Sequence, residues 1–155
     1  VQIRHSVSPF MRDEIMIVTT ADHPVMDFAE HVIPLGAFLD RLKDTAAFEY
    51  IFGPPNTVLG RVGRQALRDA GIDPIGQGTD LSASFAAAMA REGAGLAFTY
   101  RSCPVPGDHF RYLRVGKEGI FLDLALAWPA GKYRSRAASA LAELFQEMAP
   151  ELLQR

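Results

Sequence analysis

The residues best suited to bind a small anion lie in the segment Gly53-Pro54-Pro55-Asn56-Thr57, which follows a predicted strand and leads into a predicted helix. The first N–H groups of a helix and its positive dipole end favour an anion or a carbonyl oxygen. Asn56 and Thr57 could each add a side-chain hydrogen bond. Because the two prolines stiffen the loop, the loop would lose little conformational entropy when a ligand binds. The alternative interpretation is an ordinary loop with an ordinary helix cap.

A second polar segment, Thr99-Tyr100-Arg101, comes directly after another predicted strand. Its hydroxyl, phenol and guanidinium groups could together bind a carboxylate. Ligands of parallel sheets sit outside the carboxyl ends of the strands, so both segments are expected at the ligand-binding edge. The alternative is a surface arginine beside a half-buried tyrosine.

Metal and nucleotide chemistry has little support in the sequence. The four histidines, His5, His23, His31 and His109, lie far apart and none has the i, i+4 spacing of a helical metal pair. The glycines of residues 93–95 precede a strand, whereas a phosphate-binding loop follows one and opens a helix. We therefore predict no metal and no cofactor.

Enzymatic chemistry is also weakly supported. No serine stands in a nucleophile-elbow pattern, although Asp108-His109 could form half of a catalytic triad. Cys103 follows Arg101, which could lower its pKa, but an ordinary loop thiol is the simpler interpretation. We predict no catalytic residues and keep a hydrolase only as an alternative function.

Composition limits the class of protein. The 155 residues are 48% hydrophobic and 22% charged, which is enough apolar surface for a folded core. Sixteen basic and eighteen acidic residues give a net charge of −2, so the chain has no basic field that would attract nucleic acid. No apolar run approaches the roughly 20 residues of a membrane span. The single cysteine favours a reducing, cytoplasmic compartment.

Hydrophobic periodicity predicts alternating strands and helices. Strands are expected at residues 14–20, 48–52, 96–99, 110–115 and 120–128. Helices are expected from Pro34 to Asp44, from Asn56 or Thr57 to Gly71, from Thr79 or Asp80 to Gly93, and from Ser135 to a break or kink at Pro150. The first has apolar residues at helical spacing (Leu35, Phe38, Leu39 and Leu42), the third is expected to turn Leu81, Phe85, Ala88 and Met89 inward, and the last has apolar positions at Ala137, Leu141, Leu144, Phe145 and Met148. This order predicts an α/β fold with a mostly parallel sheet flanked by helices.

The helix that ends at Gly71 contains two glycines, Gly60 and Gly63, beside its apolar stripe. Each costs about 1 kcal/mol relative to alanine in a helix interior, which predicts close approach of another backbone. Its three arginines, at positions 61, 64 and 68, fall on the opposite face. They are expected to form a solvated surface or, alternatively, to contact a second subunit.

Several of these segments, in this order, resemble the effector-binding domain of LysR-type transcriptional regulators. The matching pieces are residues 13–18 running to Asp22-His23-Pro24, residues 57–74 with the close Ala70-Gly71-Ile72, residues 80–84 leading to 93–97, and Trp128 leading to the last helix. Together they span nearly the whole chain.

The resemblance implies a type II periplasmic-binding-protein-like fold, in which two crossover strands join two α/β lobes around a small inducer. Residues 1–13 would be a remnant of the first lobe, 14–119 the second lobe, and 120–155 the return crossover strand and a helix packing on the first lobe. The family's pocket would take Gly53, Pro54, Pro55, Asn56, Thr57, Thr99 and Tyr100. Many relatives have a proline where this sequence has Tyr100, which predicts a different pocket shape. The helix that ends at Gly71 would pack against a neighbouring subunit.

The function implied is sensing of a small anionic metabolite by a bacterial LysR-type regulator, with no enzymatic activity. DNA would be bound only through an N-terminal winged helix-turn-helix that this sequence lacks, so we expect a piece of a longer protein. The intact regulator is expected to be a cytoplasmic homodimer or homotetramer with no membrane contact. A solute-binding protein of a transporter is an alternative of another class.

Overall fold

The structure is a computed structural model that describes residues 5–32, 36–73, 76–78, 82–103, 105–131 and 133–152. The chain divides into two units, the first made of residues 1–14 and 121–155 and the second of residues 15–120. Strand β1, His5–Thr20, contributes residues to both units.

The second unit is built on a sheet in the strand order β2-β3-β7-β1-β6-β4-β5. The strands after β1 are β2 Ala29–Val32, β3 Gly36–Leu39, β4 Tyr50–Phe52, β5 Gly76–Gly78, β6 Leu96–Tyr100 and β7 Phe110–Val115. Apolar β-branched residues of β1, including Ile15, Ile17 and Val18, are fully buried in its centre.

The α/β class is confirmed, but the sheet is mixed rather than mostly parallel. β4 runs parallel to both β5 and β6, and β3 runs parallel to β7. β1 runs antiparallel to both of its neighbours, β6 and β7, and β2 and β3 also pair antiparallel. The prediction missed this because strand–helix alternation says nothing about a strand that enters the sheet from outside the repeating units.

Two helices, α1 Val58–Asp69 and α2 Ala83–Arg91, pack on this sheet. A short 3-10 helix at Pro24–Phe28 lies between β1 and β2, and another at Leu42–Thr45 lies between β3 and β4. The helix predicted over residues 34–44 is therefore wrong, since Gly36–Leu39 is strand β3. Its backbone groups find partners in β2 on one side and β7 on the other, and this long-range pairing overrides the helical spacing of the leucines. Residues 33–35 lie outside the described residues.

Helix α2 faces the sheet with alanines. Its buried residues are Ala86, Ala87 and Ala90, which join a core cluster with Val18, Ile51, Ala97 and Phe110. Phe85, predicted to point inward, is 49% exposed, because the small alanine face lets the helix lie close to the sheet. The cap is Ser82, whose Oγ accepts from the N–H of Phe85 at 3.3 Å. The predicted caps Thr79 and Asp80, and Leu81, lie outside the described residues.

Two polar contacts hold the connections before β4. The Thr45 hydroxyl donates to the Leu42 carbonyl at 2.6 Å and accepts from the Tyr50 hydroxyl at 2.8 Å, all of it buried. Burial raises the pKa of Tyr50, and the Thr45 hydrogen bond opposes that effect. Nearer the N-terminus, the His23 Nδ1 accepts from the N–H of Val25 at 3.0 Å and caps the first 3-10 helix.

In the first unit, β8 Ile120–Pro129 pairs with β1. Helix α3, Arg136–Leu152, begins after Ser135, whose Oγ accepts from the N–H of Ala138 at 3.1 Å, and it continues past the predicted break at Pro150. The guanidinium of Arg134 lies 3.8 Å from the ring centroid of Trp128.

The buried residues of α3 are Ala142 and Ala149. Four of its predicted apolar positions are 41–53% exposed, namely Leu141, Leu144, Phe145 and Met148. Over the described residues, no helix combines the length and the hydropathy that a bilayer crossing requires.

Candidate functional site

The structure places both predicted polar segments at one edge of the sheet. Strands β4 and β6 are parallel neighbours with Ile51 opposite Ala97, so their carboxyl ends emerge side by side. Gly53 leaves the sheet directly after β4, and Thr99 and Tyr100 are the last two residues of β6. This is the edge at which ligands of α/β sheets bind.

Thr57 closes the loop between β4 and α1. Its hydroxyl donates to the Pro54 carbonyl at 2.7 Å and accepts from the N–H of Gly60 at 3.1 Å. Its own N–H also donates to the Pro54 carbonyl, at 3.0 Å. Of the two predicted caps, Thr57 is therefore the cap and Asn56 is an exposed neighbour. Because the hydroxyl proton is committed to Pro54, the Thr57 side chain can serve a ligand only through its remaining lone pair.

Arg64 holds the same loop from the helix side. Its Nη1 donates to the Gly53 carbonyl at 3.1 Å and to the Gly60 carbonyl at 2.9 Å. Its guanidinium carbon lies 4.3 Å from the ring centroid of Phe52, and desolvation, followed by the charge of Arg68, lowers the pKa of Arg64. The prediction of a solvated arginine face is wrong for this residue.

The other two arginines of α1 are exposed, as that prediction expected. Arg68 donates to the Gln65 side chain at 3.1 Å, and Arg61 is exposed two turns earlier. The helical wheel gave the direction of each Cα–Cβ bond correctly, but a side chain as long as that of arginine can reach back along the helix.

The two helical glycines are explained by contacts within the unit. A Cβ at position 60 would overlap the Pro54 carbonyl oxygen, and one at position 63 would lie 2.5 Å from Cδ2 of Phe98. The predicted close approach of another backbone is thus confirmed at Gly60, whereas the neighbour of Gly63 is a side-chain ring; both glycines are buried. The neighbouring subunit that the family resemblance suggested as their partner is not needed to explain them.

A second helix begins beside the loop. A Cβ on Gly53 would lie 3.0 Å from the backbone nitrogen of Ala83, the first residue of α2. The N-termini of α1 and α2 therefore both lie next to Gly53, which places two positive helix ends at one edge. Sequence reasoning missed α2 as a contributor, although Ser82 ahead of an alanine-rich segment was a usable cap signal.

The side chains at the end of β6 become more exposed to solvent from one residue to the next. Thr99 is 6% exposed, Tyr100 is partly exposed and Arg101 is exposed. The chain then turns, with the N–H of Cys103 donating to the Tyr100 carbonyl at 3.2 Å. On β1, Ile15 is the register partner of Tyr100. Tyr100 and Arg101 are therefore the side chains of this segment that a ligand can reach most easily.

The space around the loop decides where a ligand could sit. Beneath the loop there is a void of only about 10 Å³, lined by residues that include Gly53, Gly60 and Ala83. A larger groove of about 380 Å³ runs along α1 past Arg61 and Asp69, which are outside the predicted site. The carboxyl ends of strands and the N-termini of helices, which orient ligands in this type of sheet, do not line this groove. A ligand of the loop would sit on its outer side.

Other chemistry gains no support from the described part of the chain. In it, no cluster of three or more His, Cys, Asp or Glu residues is arranged to hold a metal ion. His109 is half of the possible triad, and its Nε2 lies 3.6 Å from Oε1 of Glu92. Cys103 is an exposed free thiol, with Ser102 Oγ at 3.9 Å.

Comparison with known proteins gives a consistent result. The pattern of the LysR substrate binding domain family matches residues 4–150. No curated protein sequence matches the chain. The effector-binding domain of QuiR in complex with shikimate is 15% identical with a TM-score of 0.70, and the match covers 95% of this chain and 66% of that one.

Two further solved structures have the same fold. The regulatory domain of Synechocystis PCC6803 CcmR in complex with 2-PG is 12% identical with a TM-score of 0.75, over 96% of this chain and 68% of that one. The C-terminal domain of a probable LysR family regulator from Rhodococcus sp. RHA1 is 19% identical with a TM-score of 0.69, over 94% and 69%. This chain thus spans about two thirds of the length of these relatives.

Proposed function

Because the chain belongs to the LysR substrate binding domain family, we propose that it senses a small anionic metabolite on behalf of a bacterial transcriptional regulator. The observation that carries the proposal is the convergence of the loop of residues 53–57, the end of β6 and two helix N-termini at one edge of the sheet. Gly53, Pro54, Pro55, Asn56, Thr57, Thr99, Tyr100 and Arg101 are the proposed effector-binding residues.

The charge of this edge favours an anion. The caps Thr57 and Ser82 already accept from the N–H groups of Gly60 and Phe85, and the dipoles of α1 and α2 are both positive at this edge. Tyr100 can donate a phenolic hydrogen bond, and the exposed guanidinium of Arg101 can form a bidentate pair with a carboxylate or phosphate. None of these groups requires a metal ion to bind an anion.

Relatives of the same fold bind ligands of this class. QuiR was solved with shikimate, a carboxylate, and CcmR with 2-phosphoglycolate, which carries a carboxylate and a phosphate. At 12–15% identity these likenesses establish the fold alone, so the ligand class proposed for this chain rests on the groups at its own sheet edge.

Sensing requires no chemical step. An effector that binds one conformation more tightly than another shifts the population toward it by its differential affinity. In the intact regulator we propose that this shift acts on a winged helix-turn-helix that binds DNA, within a cytoplasmic homodimer or homotetramer.

The test uses the intact regulator. Thermal melting with and without shikimate, 2-phosphoglycolate and a panel of other small carboxylates identifies a probe that stabilises the protein. With that probe, Tyr100→Ala and Arg101→Gln should each weaken binding by about tenfold or more, which is about 1.4 kcal/mol.

Two controls match these changes. Tyr133→Ala removes a 90% exposed tyrosine of the first unit, and Arg61→Gln removes an exposed arginine of α1. Both should leave affinity for the probe unchanged. The proposed site is wrong if no small anion stabilises the regulator, or if the controls weaken binding as much as the changes at 100 and 101.

A further inference from the structure

We propose that Arg64 is the positioning residue of the effector loop, holding residues 53–57 in their binding conformation from the side opposite the effector. The inference rests on the proposed function, because it concerns the same loop. It concerns a residue that neither the sequence pattern nor the family resemblance placed at the site.

One guanidinium nitrogen of Arg64 joins the two ends of the loop-to-helix connection. Nη1 donates to the carbonyl of Gly53, where the chain leaves β4, and to the carbonyl of Gly60, within the first turn of α1. The two contacts fix the distance between the strand end and the helix start. Both bonds come from a cationic donor, which makes them stronger than hydrogen bonds between neutral groups.

The ring of Phe52 fixes the direction of the guanidinium. The guanidinium carbon lies 4.3 Å from the ring centroid, and Phe52 itself is buried at the end of β4. A planar guanidinium can stack on the ring while its N–H groups reach carbonyls in its plane, whereas a lysine ammonium can do only one of these well. The site is therefore specific for arginine.

Further contacts of the loop come from groups that do not move easily. Gly53 packs against the start of α2 at Ala83, and Gly60 packs against Pro54 without room for a Cβ. Thr57 closes the turn through its hydroxyl. Arg64 completes this set as its one long, charged side chain, so its loss should loosen the loop without opening the sheet.

A loop that is ordered before binding loses less entropy when the effector arrives. The amides of Thr57 and Gly60, which donate to Pro54 and to the Thr57 hydroxyl, report whether the loop keeps its conformation. If Arg64 positions the loop, its loss should change the hydrogen-exchange rates of these two amides more than those of amides elsewhere in the unit.

The test measures hydrogen exchange in the intact protein without effector, for Arg64→Gln and for the matched control Arg68→Gln on the exposed face of the same helix. Arg64→Gln should speed exchange of the Thr57 and Gly60 amides by about tenfold or more. The exchange rates of the β6 amides should stay within about twofold of those in the parent protein. Arg68→Gln should change neither. Arg64→Lys should behave like Arg64→Gln, since an ammonium cannot replace the stacked fork.

Chemical rescue separates positioning from general destabilisation. Millimolar guanidinium ion should slow loop exchange again in Arg64→Ala and have no effect in the parent protein. Unchanged loop exchange in Arg64→Gln, or a uniform increase that includes β6, would overturn the inference.

Effector binding gives a second readout that distinguishes the two proposals. With the stabilising probe identified above, Arg64→Gln should weaken affinity and Arg68→Gln should not. If changes at Tyr100 and Arg101 weaken binding but Arg64→Gln alters neither affinity nor loop exchange, only the inference fails. If loop exchange depends on Arg64 but changes at Tyr100 and Arg101 leave every tested anion unaffected, only the proposed function fails.

Discussion

Gly60 and Pro54 stand so close that a Cβ on residue 60 would overlap the Pro54 carbonyl oxygen. That oxygen also accepts from the hydroxyl and the N–H of Thr57, so the loop and the first turn of α1 share one acceptor. Gly63 has the same relation to the ring of Phe98, one turn further along. The helix can lie against the strand ends only because these two positions lack side chains.

This packing predicts whether a substitution at Gly60 raises or lowers the free energy of unfolding. In an ordinary helix interior, glycine to alanine stabilises by about 1 kcal/mol. Gly60→Ala should instead destabilise by about 1–3 kcal/mol, the usual cost of overpacking. Urea unfolding measures the change, and Val58→Ala, at a 41% exposed position of the same helix, serves as the control with an expected change within about 0.5 kcal/mol. A stabilising Gly60→Ala would contradict the close contact.

Thr57→Ala should remove the helix cap and its bond to Pro54. The expected loss is about 0.5–2 kcal/mol in the free energy of unfolding, because the N–H of Gly60 loses its acceptor. Thr57→Ser keeps the hydroxyl and should retain most of that stability. Equal losses in both variants would mean that the methyl group, and not the cap, stabilises this turn.

The buried pair of Tyr50 and Thr45 predicts an asymmetry. Tyr50→Phe removes a donor and leaves the Thr45 hydroxyl with its bond to Leu42, so the loss should be about 1 kcal/mol. Thr45→Val leaves the Tyr50 hydroxyl and the Leu42 carbonyl without this partner, and should cost more, about 1–3 kcal/mol. Chemical denaturation of both variants checks the order, and the reverse order would show that Thr45 is not the shared partner.

His23 predicts a pH dependence. Its Nδ1 accepts from the N–H of Val25, so the cap needs neutral imidazole. Desolvation lowers the pKa of His23 from 6.5, against the opposing charge of Asp22. A lowered pKa in the folded state means that the stabilisation is complete above about pH 6.5 and is lost as the pH falls through the folded-state value.

The measurement is the free energy of unfolding from about pH 7.5 to about pH 5. His23→Asn retains a side-chain acceptor for the cap without titrating, and should show a smaller loss over this range than the parent protein. An identical pH profile in the two proteins would exclude His23 as the source.

The features predicted correctly from sequence depend on neighbours along the chain. The Thr57 cap, the end of α1 at Gly71 and the close approach at Gly60 all follow from local spacing and from what glycine permits. The two strand ends could be placed together because parallel strands share an edge. Apart from this strand pair, the deciding contact lies within a turn or within one strand–helix unit.

The errors come from distant partners. β3 is a strand because Phe38 pairs opposite Arg114 of β7, far along the sequence. Helix α2 turns its alanines inward because the sheet lies close to it. A helical wheel carries no information on the distance between a helix and a sheet. Arg64 was placed in solvent because the wheel follows Cβ atoms, whereas its function depends on the far end of the side chain.

Trp128 is the single tryptophan of the sequence, and it lies in the first unit beneath the guanidinium of Arg134. Its indole nitrogen is buried and has no hydrogen-bond partner among the described residues. Intrinsic fluorescence excited at the indole band therefore gives a site-specific optical signal from that unit alone, without any attached dye. Any spectral shift on adding an effector would report a change in the surroundings of β8.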